Sequence, residues 1–130
     1  MAEAVTLIGN LTPNVTAATD LRTAQFKAVS IFPNGVRLAD QTNSAAAAAL
    51  ILANKPNSGQ ACELVSLANV GRVIVASTNN IGDWLAPVGA TGLVGVASWN
   101  TAGGPPAGMG IAMTAAATGS GQLVSLWMRR

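Results

Sequence analysis

One hairpin-like cassette is written twice in this chain, and it constrains the fold more than any other feature. Ser58-Gly59-Gln60-Ala61-Cys62-Glu63-Leu64-Val65-Ser66-Leu67 is echoed by Ser120-Gly121-Gln122-Leu123-Val124-Ser125-Leu126. The shared Ser-Gly-Gln and Leu-Val-Ser-Leu are separated by three extra residues in the first copy. Upstream of each copy lies a second related pair, Ile51-Leu52-Ala53-Asn54 and Ile111-Ala112-Met113-Thr114. The repeated unit is an apolar run, a small polar turn and a second apolar run, which predicts a β-hairpin used twice. A self-similar β unit in a short chain points to a scaffold or binding module before it points to an enzyme.

Further strand signals surround the cassettes. Phe26 to Phe32 alternates loosely and ends at Pro33-Asn34-Gly35, where proline presets its own φ and Asn and Gly tolerate positive φ. Val36 to Ala39 then returns as the partner strand. Leu64 to Ala68 and Arg72 to Ser77 flank Asn69-Val70-Gly71 and read as the strongest hairpin, because Val73, Ile74 and Val75 favour a pleated backbone. Trp84-Leu85-Ala86, Leu93 to Ser98, Met109 to Thr114 and Leu123 to Met128 supply the remaining strands. In the last of these, Leu123 and Trp127 face one way and Val124, Leu126 and Met128 the other. Both faces are apolar, so the strand belongs at the centre of a sheet or under a partner.

Two segments read differently. Asn43-Ser44 can cap a short helical turn over the alanines at 45–49, before Leu50-Ile51-Leu52 continues as a strand. Residues 1–25 are rich in Thr, Ala and Asn, with Leu7, Ile8, Leu11 and Val15 irregularly spaced, which suits an extended N-terminal arm. The expected fold is mainly β: a compact β-barrel or β-sandwich-like domain over 26–130, at most one short helix near 43–49, and an arm over 1–25.

Charge is what the chain lacks. At 130 residues it can bury a core without disulfides. Half its residues are hydrophobic and 9% are charged, against about a quarter charged in a typical globular chain. Small neutral residues must therefore supply much of the surface, and such a surface suits close packing against another protein. The basic residues Arg22, Lys27, Arg37, Lys55 and Arg72 are scattered, and only Arg129-Arg130 are adjacent. A nucleic-acid site asks for a clustered basic face or interleaved aromatics, so no nucleic-acid partner is expected. The longest apolar run, 45–53, is nine residues, about half of what a bilayer-crossing helix needs. No membrane span and no secretory signal are expected.

Reactive side chains are scarce. There is no histidine and no tyrosine, so the commonest general base and metal ligand is missing. Cys62 stands next to Glu63, which disfavours a thiolate; it reads as a buried small hydrophobe, with an intermolecular disulfide as the alternative. Glu3, Asp20, Asp40, Glu63 and Asp83 lie far apart in sequence, and no pair has the spacing of a calcium loop. Gly103-Gly104-Pro105-Pro106-Ala107-Gly108-Met109-Gly110 lacks the Lys-Ser/Thr of a phosphate-binding loop, and its prolines remove amide donors. No catalytic residue, metal site or cofactor is expected. Trp84 and Trp127, inside strands, read as core rings, while Trp99 before the Gly-Pro stretch stands between a core and an interface role.

The order of glycines, alanines and strand starts carries a family resemblance. Phe26-Lys27-Ala28-Val29, Pro33-Asn34-Gly35-Val36, the alanines 45–49 before Leu50-Ile51-Leu52-Ala53-Asn54-Lys55-Pro56, and Gly59-Gln60-Ala61-Cys62-Glu63-Leu64-Val65 make up its first half. Gly71-Arg72-Val73, Ile81-Gly82-Asp83-Trp84-Leu85, Gly108-Met109-Gly110-Ile111-Ala112 and Gly119-Ser120-Gly121-Gln122-Leu123-Val124 make up its second. This pattern, over about residues 20–130, resembles the small capsid decoration, or head cement, proteins of tailed phages and prophages. The resemblance implies a β-rich module, made in the bacterial cytoplasm, that sits as a homotrimer on the outer surface of an assembled phage head. There it would tie major capsid protein subunits together, with Leu7, Ile8, Leu11, Val15, Trp99 and Met109 as candidate interface residues. The alternative is a small β-barrel module for carbohydrate or peptide. It would need an exposed aromatic platform, and the shortage of aromatics argues against it. A hydrolase using dispersed acids fits least.

Overall fold

The computed structural model describes residues 6–8, 15–39, 49–65, 69–97 and 109–128, with 6–8 described by backbone alone. The described residues form strands and turns without a helix. The strands are β1 (Thr6–Ile8), β2 (Ala28–Phe32), β3 (Gly35–Leu38), β4 (Leu50–Leu52), β5 (Glu63–Val65), β6 (Val70–Ile74), β7 (Trp84–Pro87), β8 (Val94–Val96), β9 (Gly110–Ala112) and β10 (Leu123–Met128). They make two five-stranded antiparallel sheets, ordered β1-β5-β4-β2-β3 and β6-β10-β9-β7-β8. The mainly β, barrel- or sandwich-like expectation holds.

The second order is the first with five added to every strand. The cassette expected from the sequence is one part of this duplication: β4 pairs with β5, and β9 with β10. The identity extends to single hydrogen bonds outside the strands. Ala17 N–H donates to Gln60 C=O at 2.8 Å, as Val75 N–H donates to Gln122 C=O at 2.9 Å. Ala18 N–H donates to Val36 C=O at 2.9 Å, as Ala76 N–H donates to Val94 C=O at 2.7 Å. Phe26 N–H donates to Leu52 C=O at 2.7 Å, as Gly82 N–H donates to Ala112 C=O at 2.8 Å. Even the positive φ is shared: Phe26 has φ 66° where Gly82 has φ 91°.

In each half the sheet folds back on itself. A parallel bridge between Val75 and Val94 joins the β6 and β8 edges of the second sheet. In the first half, the bridges Ala17 to Val36 and Thr16 to Ala61 place residues 16–17 between β3 and the approach to β5. The inward side chains follow the strand period of two: Cys62 and Leu64 in one half, Val124, Leu126 and Met128 in the other, all buried.

The halves dock through a close backbone approach. Ile74 N–H donates to Phe26 C=O at 2.9 Å, and Ala28 N–H donates to Gly92 C=O at 2.7 Å. Gly71 lies against Ile51 and Val65 so tightly that a Cβ there would stand 3.0 Å from a methyl of each. The buried apolar residues of both halves form one continuous core.

Several local expectations meet the structure directly. Pro33-Asn34 turns β2 into β3, as expected. The hairpin read across Asn69-Val70-Gly71 does not form: β5 pairs with β1 and β4, whereas β6 pairs with β10. β-branched runs identify strands but not their partners, and this connection crosses from one half to the other. The helical turn expected near 43–49 lies, but for Ala49, outside the described residues. Of the segment expected as an arm, Thr6–Ile8 pairs with β5, and Val15, Ala17, Leu21 and Ala24 are buried.

Candidate functional site

The second sheet presents an apolar row on its outer face. Trp84 of β7 stands opposite Ile111 of β9, Ile111 opposite Trp127 of β10, and Trp127 opposite Val70 of β6. Residues directly opposite in a ladder project to the same side, so these four side chains line up across the sheet. Trp127 is 54% exposed and Val70 49%, while Ile111 and Trp84 are half-buried. Adjacent strands are about 4.8 Å apart, which sets the two tryptophans about 10 Å from each other with Ile111 between them. Exposed Met113 and Leu123 and half-buried Ser125 extend this face along the strands, and among the described residues Arg72, opposite Ser125, places a charge on it.

The same row exists in the first half, with a different fate. Ala28, Ile51 and Val65 occupy the places of Trp84, Ile111 and Trp127. They are buried, because Gly71 of the second half lies on Ile51 and Val65. One row of the duplicated unit is thus covered by the other unit, and its counterpart carries the larger side chains into solvent. The core role read for Trp127 is corrected by this placement. Both apolar faces of its strand were legible in the sequence, and the exposed one is the signal that could have identified it.

The reactive side chains are dispersed. Cys62 is fully buried, its N–H donates to Val15 C=O at 3.1 Å, and burial pushes its thiol up to about 11. It fills the place that Val124 fills in the second half. Asp20 pairs with Arg22 at 2.8 Å on the surface, and the guanidinium lowers its carboxyl to about 2. Asp83 accepts the Asn80 N–H at 2.8 Å and closes a turn. Glu63 is exposed on β5. Among the described residues, no three metal-ligating side chains come together.

The sequence-derived interface candidates do not gather in one place. Leu7 and Ile8 lie in β1, in register with Leu64 and Glu63. Val15 and Met109 are core residues, each 5% exposed. Leu11 and Trp99 lie outside the described residues. The face that the structure does assemble, around Trp127, Ile111 and Val70, was not among those candidates. Compared with known proteins, the chain matches no family model and no curated protein.

Proposed function

We propose that this protein is a virion structural component that binds the outside of an assembled phage head as an oligomer and braces contacts between major capsid subunits. The observation that carries the reading is the outer face of the second sheet. A row of Trp, Ile and Val with Arg72 nearby suits docking to protein by shape and apolar burial. Weak overall charge agrees with it: seven basic and five acidic side chains in 130 residues offer little long-range steering. The resemblance of residues 20–130 to head cement proteins supplies the choice of capsid as target. Mixing the protein with undecorated heads and pelleting them tests this directly. Saturable co-sedimentation supports the proposal, and protein left in the supernatant contradicts it.

One observation favours the second reading, a carbohydrate- or peptide-binding module. Trp84 and Trp127 in one row are the start of the aromatic platform that such a module needs. The neighbouring Met113, Leu123 and Val70 offer few hydrogen bonds to sugar hydroxyls, so protein is the better fit. Binding to a glycan panel that disappears in Trp127→Ala would reverse that ranking.

A further inference from the structure

Asparagine before a small residue is a chemically weak point of a polypeptide, because the next backbone nitrogen can attack the side-chain carbonyl carbon and close a five-membered ring. Glycine is the most permissive follower, so the sequence alone points to Asn34-Gly35. The fold points elsewhere. Gly35 is buried in the ladder opposite Phe32, and a Cβ there would stand 2.7 Å from the Thr16 carbonyl oxygen, so its backbone has little freedom to swing toward the Asn34 side chain. We propose that Asn57 is a self-modification site of this chain, held by the turn 57–60 for ring closure with Ser58 and conversion to aspartate and isoaspartate.

Asn57 and Ser58 are exposed, and Ser58 N–H donates to Asn57 Oδ1 at 2.8 Å, which brings the attacking nitrogen beside Cγ. The turn is pinned around this contact. Asn57 N–H donates to Gln60 Oε1 at 2.8 Å, Gln60 N–H to Asn57 C=O at 3.0 Å, and Gly59 N–H to Ala17 C=O at 2.7 Å. Holding two reacting groups within reach lowers the entropic part of a barrier. Other asparagines are occupied differently. Asn54 reaches across to Ala61 C=O and Glu63 N–H, buried Asn79 donates to the Asn80 and Thr114 carbonyls, and Asn80 precedes β-branched Ile81. The duplication shows that the turn does not depend on the carboxamide. Gly119 takes the place of Asn57 in the second half, where Gln122 N–H still donates to Gly119 C=O at 3.4 Å and Gly121 N–H to Val75 C=O at 2.9 Å.

The conversion needs water alone. Ser58 N gives its proton to a solvent base and bonds to Asn57 Cγ, and the side-chain nitrogen takes a proton from water and leaves as ammonia. Water then opens the imide: attack at Cγ gives aspartate, and attack at the main-chain carbonyl gives isoaspartate, with the chain running through Cγ. One water is consumed, one ammonia is released, and no atom is oxidised or reduced. The product carries one more negative charge, against a formal net charge of +2 before conversion. Isoaspartate also adds a backbone atom between Pro56 and Ser58, beside the bonds that Leu21 N–H makes to Pro56 C=O and Gly59 N–H to Ala17 C=O. The turn's hold on residues 17–21 is therefore loosened.

The test does not involve capsids. The full chain, native and in guanidinium chloride, is incubated in mildly alkaline buffer, and amide-to-acid conversion is followed by peptide mapping, with isoaspartate identified by electron-transfer fragmentation. In the native protein Asn57 should convert about tenfold faster than Asn34, and in the denaturant the order should reverse. Asn57→Gln, which cannot close the five-membered ring, should remove the native signal from that peptide. A native protein in which Asn34 leads, or in which Asn57 converts no faster than in denaturant, overturns the proposal.

Discussion

At the scale of single residues, the duplicated unit shows how much side-chain identity can change while a backbone role is kept. Phe26 and Gly82 make the same hydrogen bond at positive φ. Glycine adopts that conformation freely, and a phenylalanine there costs about 1 kcal/mol or more. Cys62 and Val124 fill the same inward position, and for Cys62 this has a pH consequence. Its thiol rises from 9.0 to about 11 because the charged form is desolvated. A raised thiol contributes its full stability below pH 9, and that contribution is lost as pH climbs through 11. The loss is about 3 kcal/mol by linkage. Chemical denaturation at pH 8 and pH 11 should show this alkaline loss in the wild type, and a smaller loss in Cys62→Val. Equal losses in the two proteins would show that Cys62 is not its source.

At the scale of elements, the docking of the halves rests on the missing side chain of Gly71. A Cβ there meets Ile51 Cδ1 and Val65 Cγ2 at 3.0 Å, and both are core side chains with little room to move. Gly71→Ala should therefore destabilise by about 1–3 kcal/mol through overpacking. Ile51→Val removes the Cδ1 methyl, so the double variant should lose less than the sum of the two single losses. Strict additivity would mean that β6 does not press on β4.

The sequence made the two hairpins legible because Ser-Gly-Gln recurs at the same structural place. Gln60 and Gln122, Leu64 and Leu126, and Val65 and Trp127 are each 62 residues apart, and each pair is equivalent in the two sheets. The Leu-Val-Ser-Leu echo is out of step with this register: Ala61-Cys62-Glu63, which looked like an insertion, stands where Leu123-Val124-Ser125 stands. The rest of the duplication was hidden for a physical reason. Ala28 and Trp84, and Val65 and Trp127, share ladder positions but face different neighbours. Their sizes differ with their surroundings, while the hydrogen-bond pattern, which does not depend on side chains, is the same in both halves. The exposed row was illegible for the same reason, since its place is defined by pairing between strands far apart in the chain.

At the scale of the whole molecule, two like units share one core, and an apolar outer row remains on the second. Attachment built on such a surface gains from apolar burial and from multiplying modest contacts across a symmetric assembly. It gains little from charge, because surface charges are screened beyond about 8 Å at physiological ionic strength. Salt and denaturant should therefore act differently on the bound protein. The measurement that tests the central claim most directly is the amount of protein retained on decorated heads as sodium chloride is raised to molar concentration, with a parallel titration in urea. The account predicts retention throughout the salt series and release in mild urea. Release by salt alone, at concentrations that leave the protein folded, would show that attachment is electrostatic and contradict it.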